Sequence, residues 1–415
     1  MAKKSKSTIS PLRVGVIGCG AISNAYFKGL APFSKFVKIT GCADLDLERA
    51  RKKAAEHGVE KAYSTKELIA DPEIDAVLNL TVPGVHASIN LQALQAGKHA
   101  YCEKPFSLNY KEGLKVLKEA QKRKLRVGCA PDTVLGGGIQ TCRKLIDDGA
   151  IGRPLAATAN MLCPGHESWH PSPEFYYKAG GGPLFDMGPY YLTSLVTMLG
   201  PIKNVVALAK TTYKERLITS QPLNGKKIKV EVPTHLCGEL EFGNGVLATV
   251  TMSFDVWAHH LPMLEVYGTE GSLQCPDPNN FNGEVHLWTA KKREWVNVPL
   301  THNDQTSRGY GVADMAYGLQ KRRQHRMNGE LGLHIVEVME AFHVSARSGR
   351  KIAIKSHCRQ PEPLPEKLPL GQIAKNRIPH HEKESIDCLW RMGRPSTLGN
   401  FRDRGPVSPG SAIRR

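Results

Sequence analysis

The run Val14-Gly15-Val16-Ile17-Gly18-Cys19-Gly20-Ala21-Ile22-Ser23 limits what this chain can fold into more than any other stretch of it. An apolar strand turns through Gly18 and Gly20 directly into a helix, and such a turn brings backbone N–H groups and a helix N-terminus up to a pyrophosphate. The third glycine of the G-x-G-x-x-G pattern is replaced by Ser23, so the turn alone is a weak signal, and a structural turn in another α/β fold is the competing reading. Its surroundings support the dinucleotide reading. Asp44 ends a second apolar run, Val37 to Ala43, at the spacing where an acidic side chain meets an adenosine ribose.

From there the pattern alternates. Asp44 to His57 reads as a charged helix closed by Gly58, and Ser64-Thr65-Lys66-Glu67 as a capping box. Ala76 to Val82 is an apolar strand, Ser88 to Ala96 a helix, His99 to Cys102 a strand, Tyr110 to Arg123 a helix and Leu125 to Cys129 a strand. This rhythm predicts a doubly wound parallel sheet over residues 12–130. After Pro131 the texture changes to Leu155–Met161, Asn204–Lys210, His235–Phe242, Val246–Phe254, Met263–Tyr267 and Val285–Trp288, all strand-like. Gly243-Asn244-Gly245 between two of them is a hairpin signal. Leu331 to Ser345 carries an apolar helical stripe. The prediction is an α/β chain: a basic disordered N-terminus over 1–11, a Rossmann domain over 12–130, an α+β domain with a largely antiparallel open sheet over 131–356, and a proline-rich arm with a disordered basic tail over 357–415.

The net charge of +17 invites a nucleic-acid reading, but its distribution argues against one. About half of the excess lies in the first 13 residues and after Ala374. The cluster Lys321-Arg322-Arg323-Gln324-His325-Arg326 reads as a basic helix C-terminus. Ten cysteines include no C-x-x-C pair, which suits a reducing compartment, and no metal-ligand spacing is visible. No apolar segment approaches membrane-spanning length, and no apolar run follows the basic start as in a signal peptide. The expectation is a cytoplasmic protein with no metal and no membrane or nucleic-acid partner.

The cofactor candidates are Gly18, Gly20, Ala21 and Ile22 at the turn, Asp44, and Thr81, Pro83, His86, Glu103 and Lys104 at the ends of later strands. His86 either approaches the cofactor ribose or caps the helix beginning there. Asp44 would repel a 2′-phosphate, and Leu45 and Asp46 supply no cation, so NAD is preferred. Arg49, one turn on, keeps NADP as the alternative.

Three runs in this order resemble the Gfo/Idh/MocA oxidoreductases over residues 12 to 356: Gly18-Cys19-Gly20, Ala96-Gly97-Lys98-His99 to Glu103-Lys104-Pro105, and Gly180-Gly181-Gly182-Pro183-Leu184-Phe185-Asp186-Met187-Gly188-Pro189-Tyr190. The resemblance implies reversible oxidation of a hydroxyl on a sugar, cyclitol or related compound, and a homo-oligomer contact through the C-terminal sheet. By position it makes Lys104 the catalytic lysine and Asp186 the acidic residue of the D-x-G-x-H helix. Tyr190 stands where most members have histidine, as in the glucose–fructose oxidoreductase and dihydrodiol dehydrogenase branches.

Tyrosine titrates near ~10, and a nearby ammonium lowers that value, so Lys104 and Tyr190 are expected to act as one proton-transfer unit. Asp186 and Tyr190, four apart, share a helix face. Each alone has a plainer reading: a solvated strand-end lysine, a helix N-cap, a core-edge aromatic. Substrate candidates are Asp132, His166, Trp169, His170 and Arg308. Two alternatives to a sugar dehydrogenase stay open: a glycosidase that oxidises, eliminates and re-reduces with bound NAD, and a non-catalytic dinucleotide sensor.

Overall fold

The computed structural model describes residues 10–374. The expected disorder over 1–9 and 375–415 lies outside the described residues. The first half runs β1 (Leu12–Ile17), α1 (Ser23–Leu30), β2 (Val37–Ala43), α2 (Leu47–His57), β3 (Lys61–Tyr63), α3 (Thr65–Ala70), β4 (Ala76–Asn79), α4 (His86–Gln95), β5 (His99–Cys102), α5 (Tyr110–Arg123) and β6 (Val127–Cys129). All six strands are parallel, in the order β3-β2-β1-β4-β5-β6. Local chemistry sets the ends. Asp46 caps α2 through Glu48 N and Arg49 N, and Gly58 closes it with a left-handed φ of 63°. The Ser64–Glu67 capping box is formed at α3. The strand order reverses between β1 and β4, and open α/β sheets place ligands outside the carboxyl ends of the strands at such a point.

The second half runs α6 (Gly137–Asp147), β7 (Pro154–Leu162), α7 (Gly182–Leu199), β8 (Ile202–Lys210), β9 (Glu215–Leu217), β10 (Lys227–Lys229), β11 (His235–Phe242), β12 (Leu247–Ser253), β13 (Leu264–Gly268), β14 (Gly271–Cys275), β15 (Val285–Thr289), β16 (Trp295–Val298), α8 (Tyr310–Lys321), α9 (Gly329–Ser348) and β17 (Ile352–Ala353). Nine strands form one mixed sheet, β16-β15-β14-β13-β7-β12-β11-β8-β17, in which only β7 and β12 pair in parallel. The Gly243–Gly245 turn joins β11 to β12 in the expected hairpin register. The strand β14 is not among the strand-like runs of the sequence. One face of this sheet is packed under α7 and α9, with Val205, Leu240, Val250 and Phe342 buried. Alternate side chains on the other face, Val206, Leu208 and Leu247 among them, are exposed.

Helices α8 and α9 return to the first sheet and pack on β6. The basic cluster is more than a helix end. Only Lys321 lies in the last turn of α8. Arg323 and Arg326 turn inward onto the buried carboxylate of Asp314, the latter at 2.6 Å. Residues 357–374 form no helix or strand, turn near Lys367 and Gly371, and pack on the body. Leu364, Leu368 and Ile373 are buried, and Arg326 donates to Glu362 O at 2.7 Å and Pro363 O at 3.0 Å. No helix among the described residues is long and apolar enough to cross a membrane.

Candidate active site

The glycine turn sits at the carboxyl end of β1. Gly18 has φ +101°, and a Cβ there would lie 2.5 Å from Leu80 O, so the chain needs glycine for conformation and for space. Gly20 is the opposite case: nothing lies within 4 Å of a Cβ built on it. Its surface is open for a ligand. Ser23 donates to Gly20 O at 2.7 Å, a bond that fastens the turn where the motif lacks its third glycine. Ile22 starts α1 with no side-chain cap, which leaves helix N–H groups for an anion. Asp44 accepts from Cys19 N at 2.8 Å and from Asp46 N at 3.0 Å. Exposed Ile22, Leu45, Val82 and Val85 follow the carboxyl ends of β1, β2 and β4. An open phosphate turn, an acid at the second strand and apolar side chains nearby fit a bound dinucleotide.

Lys104, just past β5, reaches the other half of the molecule. Its Nζ donates to Asp186 O at 2.6 Å and to Asp186 Oδ1 at 3.0 Å. Pro189 lies inside α7 and removes one backbone donor from this turn, and Lys104 supplies a donor to the neighbouring carbonyl, that of Asp186. The other carboxylate oxygen, Oδ2, lies 3.3 Å from His166 Nε2. Rings of Trp169, Tyr176 and Phe254 surround His166 at 5.3, 4.2 and 4.6 Å. Burial by itself would raise the Asp186 carboxyl, but the Lys104 charge and the bonds from His166 and Lys104 outweigh it and bring the pKa down to about 2. Burial likewise disfavours the Lys104 ammonium, yet Asp186, Tyr190 and Glu103 more than compensate and raise it above the ordinary lysine value.

Tyr190 lies one turn beyond Asp186 on α7. Lys104 Nζ sits 5.1 Å from its ring centroid, while its hydroxyl oxygen takes a hydrogen bond from Arg308 Nη2 at 3.1 Å. Arg308 Nη2 also lies 3.3 Å from Asn279 Oδ1. The Lys104 charge favours ionisation of Tyr190, as expected, but burial opposes it more strongly. Burial raises the phenol, and Lys104 and Arg308 pull it only part of the way back, so it stays above its ordinary value.

Of the remaining candidates, Thr81 bonds Asn79 Oδ1 at 2.6 Å, and Pro83 opens a short 3-10 turn beside it. Three candidates do something other than expected, because a polar side chain at a strand end can turn either way. His86 neither meets the cofactor face nor caps α4 with its side chain. Its ring is buried, with Nδ1 2.7 Å from Pro105 O and Nε2 3.0 Å from Thr81 O, tying two loops together. Glu103 also turns inward, accepting from Tyr26 Oη at 2.7 Å and from Lys104 N at 2.9 Å. Asp132 is fully buried, and its Oδ2 accepts from Gly309 N at 2.8 Å and Gly311 N at 3.0 Å. It braces the loop carrying Arg308 and does not face a substrate. Trp169 is 61% exposed at the rim, and His170 Nδ1 accepts from Ser172 N at 3.0 Å. Tyr176 and Asn279 were missed. The aromatic run Phe175-Tyr176-Tyr177 just before the glycine segment was the available signal for the first; nothing in the pattern marks the second.

A model of an oxidoreductase family's NAD-binding Rossmann fold matches residues 12–130. A model of the GFO/IDH/MocA C-terminal domain matches residues 139–274. Myo-inositol 2-dehydrogenase of Thermotoga maritima is 25% identical over 264 residues, which are 63% of this chain and 74% of that protein. Levoglucosan dehydrogenase of Pseudarthrobacter phenanthrenivorans is 26% identical over 326 residues, 72% of this chain and 79% of its own length. The solved structure of a levoglucosan dehydrogenase with NADH and L-sorbose superposes with a TM-score of 0.73 at 21% identity, covering 84% of this chain and all of that one. That likeness is one of fold. With both family models matched in order, over the two halves that Lys104 and Asp186 join, the chain belongs to the GFO/IDH/MocA family of NAD-binding oxidoreductases.

Proposed function

We propose that this protein moves a hydride between NAD and a secondary hydroxyl of a sugar- or cyclitol-like compound, with Tyr190 and Lys104 handling the proton. The observation that carries the reading is the cluster of buried Tyr190 with the partly buried Lys104 and Asp186 at the carboxyl end of the parallel sheet. The names of the relatives, inositol and levoglucosan dehydrogenases, support the substrate class. The turn from Gly18 to Ile22 and Asp44 would hold the dinucleotide, whose nicotinamide supplies the hydride acceptor when bound.

The chain's own residues then account for the proton. As the C–H electron pair leaves the alcohol carbon, the hydroxyl proton must pass to a base, and the Tyr190 phenolate oxygen is positioned to take it. Lys104 stabilises negative charge at the reacting oxygen and at Tyr190. Asp186 fixes Lys104 through two hydrogen bonds, and His166 fixes Asp186. The aromatic loop Trp169–Tyr177 supplies apolar walls and limits water.

A panel of sugars, inositols and nitrophenyl glycosides with NAD tests this reading. The expected result is substrate-dependent NADH absorbance. Nitrophenol release without net NADH would move the assignment to the glycosidase reading, and neither signal with any compound would sink both. The reading extends to a homo-oligomer through the open face of the nine-stranded sheet, where Val206, Leu208, Leu247 and Trp295 are exposed. Sedimentation should give a multiple of the chain mass that Leu208→Glu lowers; a monomer at micromolar concentration would reject it.

A further inference from the structure

Two cations approach Tyr190, and they are not equivalent. Lys104 faces the ring, 5.1 Å from its centroid, and its Nζ is committed to Asp186 through two hydrogen bonds. Its charge favours the phenolate across space, ahead of that of Arg308, but the hydrogen bonds of its Nζ go to Asp186 and not to the Tyr190 oxygen. Arg308 instead points Nη2 at the oxygen itself, 3.1 Å away. Its charge is only loosely compensated. Glu103 Oε1 lies 3.9 Å from Nη1, and Nη1 is buried without a hydrogen-bond partner. Arginine stays charged at every working pH, so this cation is constant.

The aim of Arg308 is built into the backbone. Gly309 has φ +100°, and Asp132 holds its N–H and that of Gly311. On the other side, a Cβ on Gly29 would lie 1.9 Å from Arg308 O, so α1 packs directly against the loop. Asn279 Oδ1 steadies Nη2. We propose that Arg308, through its bond to the Tyr190 oxygen, is the positioning residue that favours the phenolate during proton transfer, and not a substrate ligand. This rests on the dehydrogenase reading above. The charged and titratable groups around Tyr190 are Lys104 and Glu103 after β5, Asp186 on its own helix, Tyr176 before α7, and Arg308 before α8. Tyr26, Asp132 and His166 act one step further out, through Glu103, the Arg308 loop and Asp186.

The test is the pH profile of NAD-dependent oxidation for wild type, Arg308→Gln and Arg308→Lys. Removing the charge should move the rising acidic limb of kcat to higher pH by about 1–2 units, the size of shift an opposite charge at this range produces. KM should change little, and Arg308→Lys should restore part of the shift. An unmoved limb with KM raised would overturn the proposal and return Arg308 to the substrate.

A second measurement needs no turnover. With isotope-labelled tyrosine, the NMR signal missing from Tyr190→Phe should titrate at higher pH in Arg308→Gln than in wild type; equal titration overturns the proposal. If no sugar is oxidised, the function reading fails while this titration still decides the role of Arg308. Should Arg308→Gln not fold, the labelled Arg308 guanidinium of the wild type must shift as Tyr190 ionises, and a signal unaffected by that ionisation is the overturning result.

Discussion

The glycine turn and the lysine cluster both lie past carboxyl ends of the parallel sheet, yet they are built in opposite ways. The turn is backbone. Its parts lie within a few residues of one another, its surface is open, and it is braced from the end of β2 by Ala43 O and the Asp44 side chain. The cluster is side chains. Lys104 and Asp186 are 82 residues apart, and Tyr190 and Arg308 are 118 apart. It is largely buried, with Lys104 paired closely to Asp186 and Arg308 more loosely to Glu103. A backbone site recognises a phosphate that many dinucleotides share. A charge-compensated site keeps a lysine ammonium and a carboxylate ionised although they are largely shielded from water. On the proposed function the first region binds and the second does the chemistry, and single substitutions should separate the two.

Lys104→Ala should have the largest effect. It removes the cation from the reacting oxygen and leaves Asp186 buried beside His166 alone. Turnover should fall by about 10²–10⁴-fold, while NAD still binds, because the turn is untouched. Calorimetric titration with NAD alongside initial rates checks this. Loss of both together would mean that the two regions are not separable.

Gly18→Val addresses the other region. A β-branched residue at φ +101° with its Cβ 2.5 Å from Leu80 O must displace the β4 end, at a cost of about 2–4 kcal/mol. The expected outcome is a lower Tm and a loss of the thermal shift with NAD. Gly20→Ala, with nothing near its Cβ, should keep the apo Tm and lose only the shift. Equal apo Tm values for the two variants would contradict the different packing of the two glycines.

What could be read from the sequence follows the same division. The capping box at Ser64, the hairpin at Gly243–Gly245 and the alternation over 12–130 depend on neighbours a few residues apart, so residue order is enough to read them. Lys104, Asp186 and Tyr190 could be joined only through the resemblance of three distant motifs. The Arg308–Tyr190 bond could not be read at all, because no local pattern links the loop before α8 to the middle of α7. His86, Glu103 and Asp132 show why strand-end polar residues mislead. Their positions are right for a ligand, but each side chain turns inward to hold a loop. Tyr190 shows a further limit, since spacing suggests how near a charge lies but not how much burial opposes it.

Asp44 gives the smallest predicted effect and joins the two kinds of construction, since it is a side chain serving a backbone site. One oxygen holds Cys19 N, and the other lies 3.4 Å from Arg49 Nη1. Arg49 also lies 3.7 Å from Asp46 Oδ2, so its guanidinium is engaged by two carboxylates and is a poor partner for a 2′-phosphate. Asp44→Asn keeps an oxygen for Cys19 N and removes the charge. It should weaken NAD and strengthen NADP, changing the ratio of their Kd values about tenfold, or about 1.4 kcal/mol. Asp44→Ala should shift the ratio similarly but weaken both dinucleotides, because the turn loses its brace. Titrating both variants with both cofactors separates the two contributions. An unchanged ratio in Asp44→Asn would show that the preference does not come from this carboxylate, and an equal affinity of the wild type for NADP would show that there is no preference to explain.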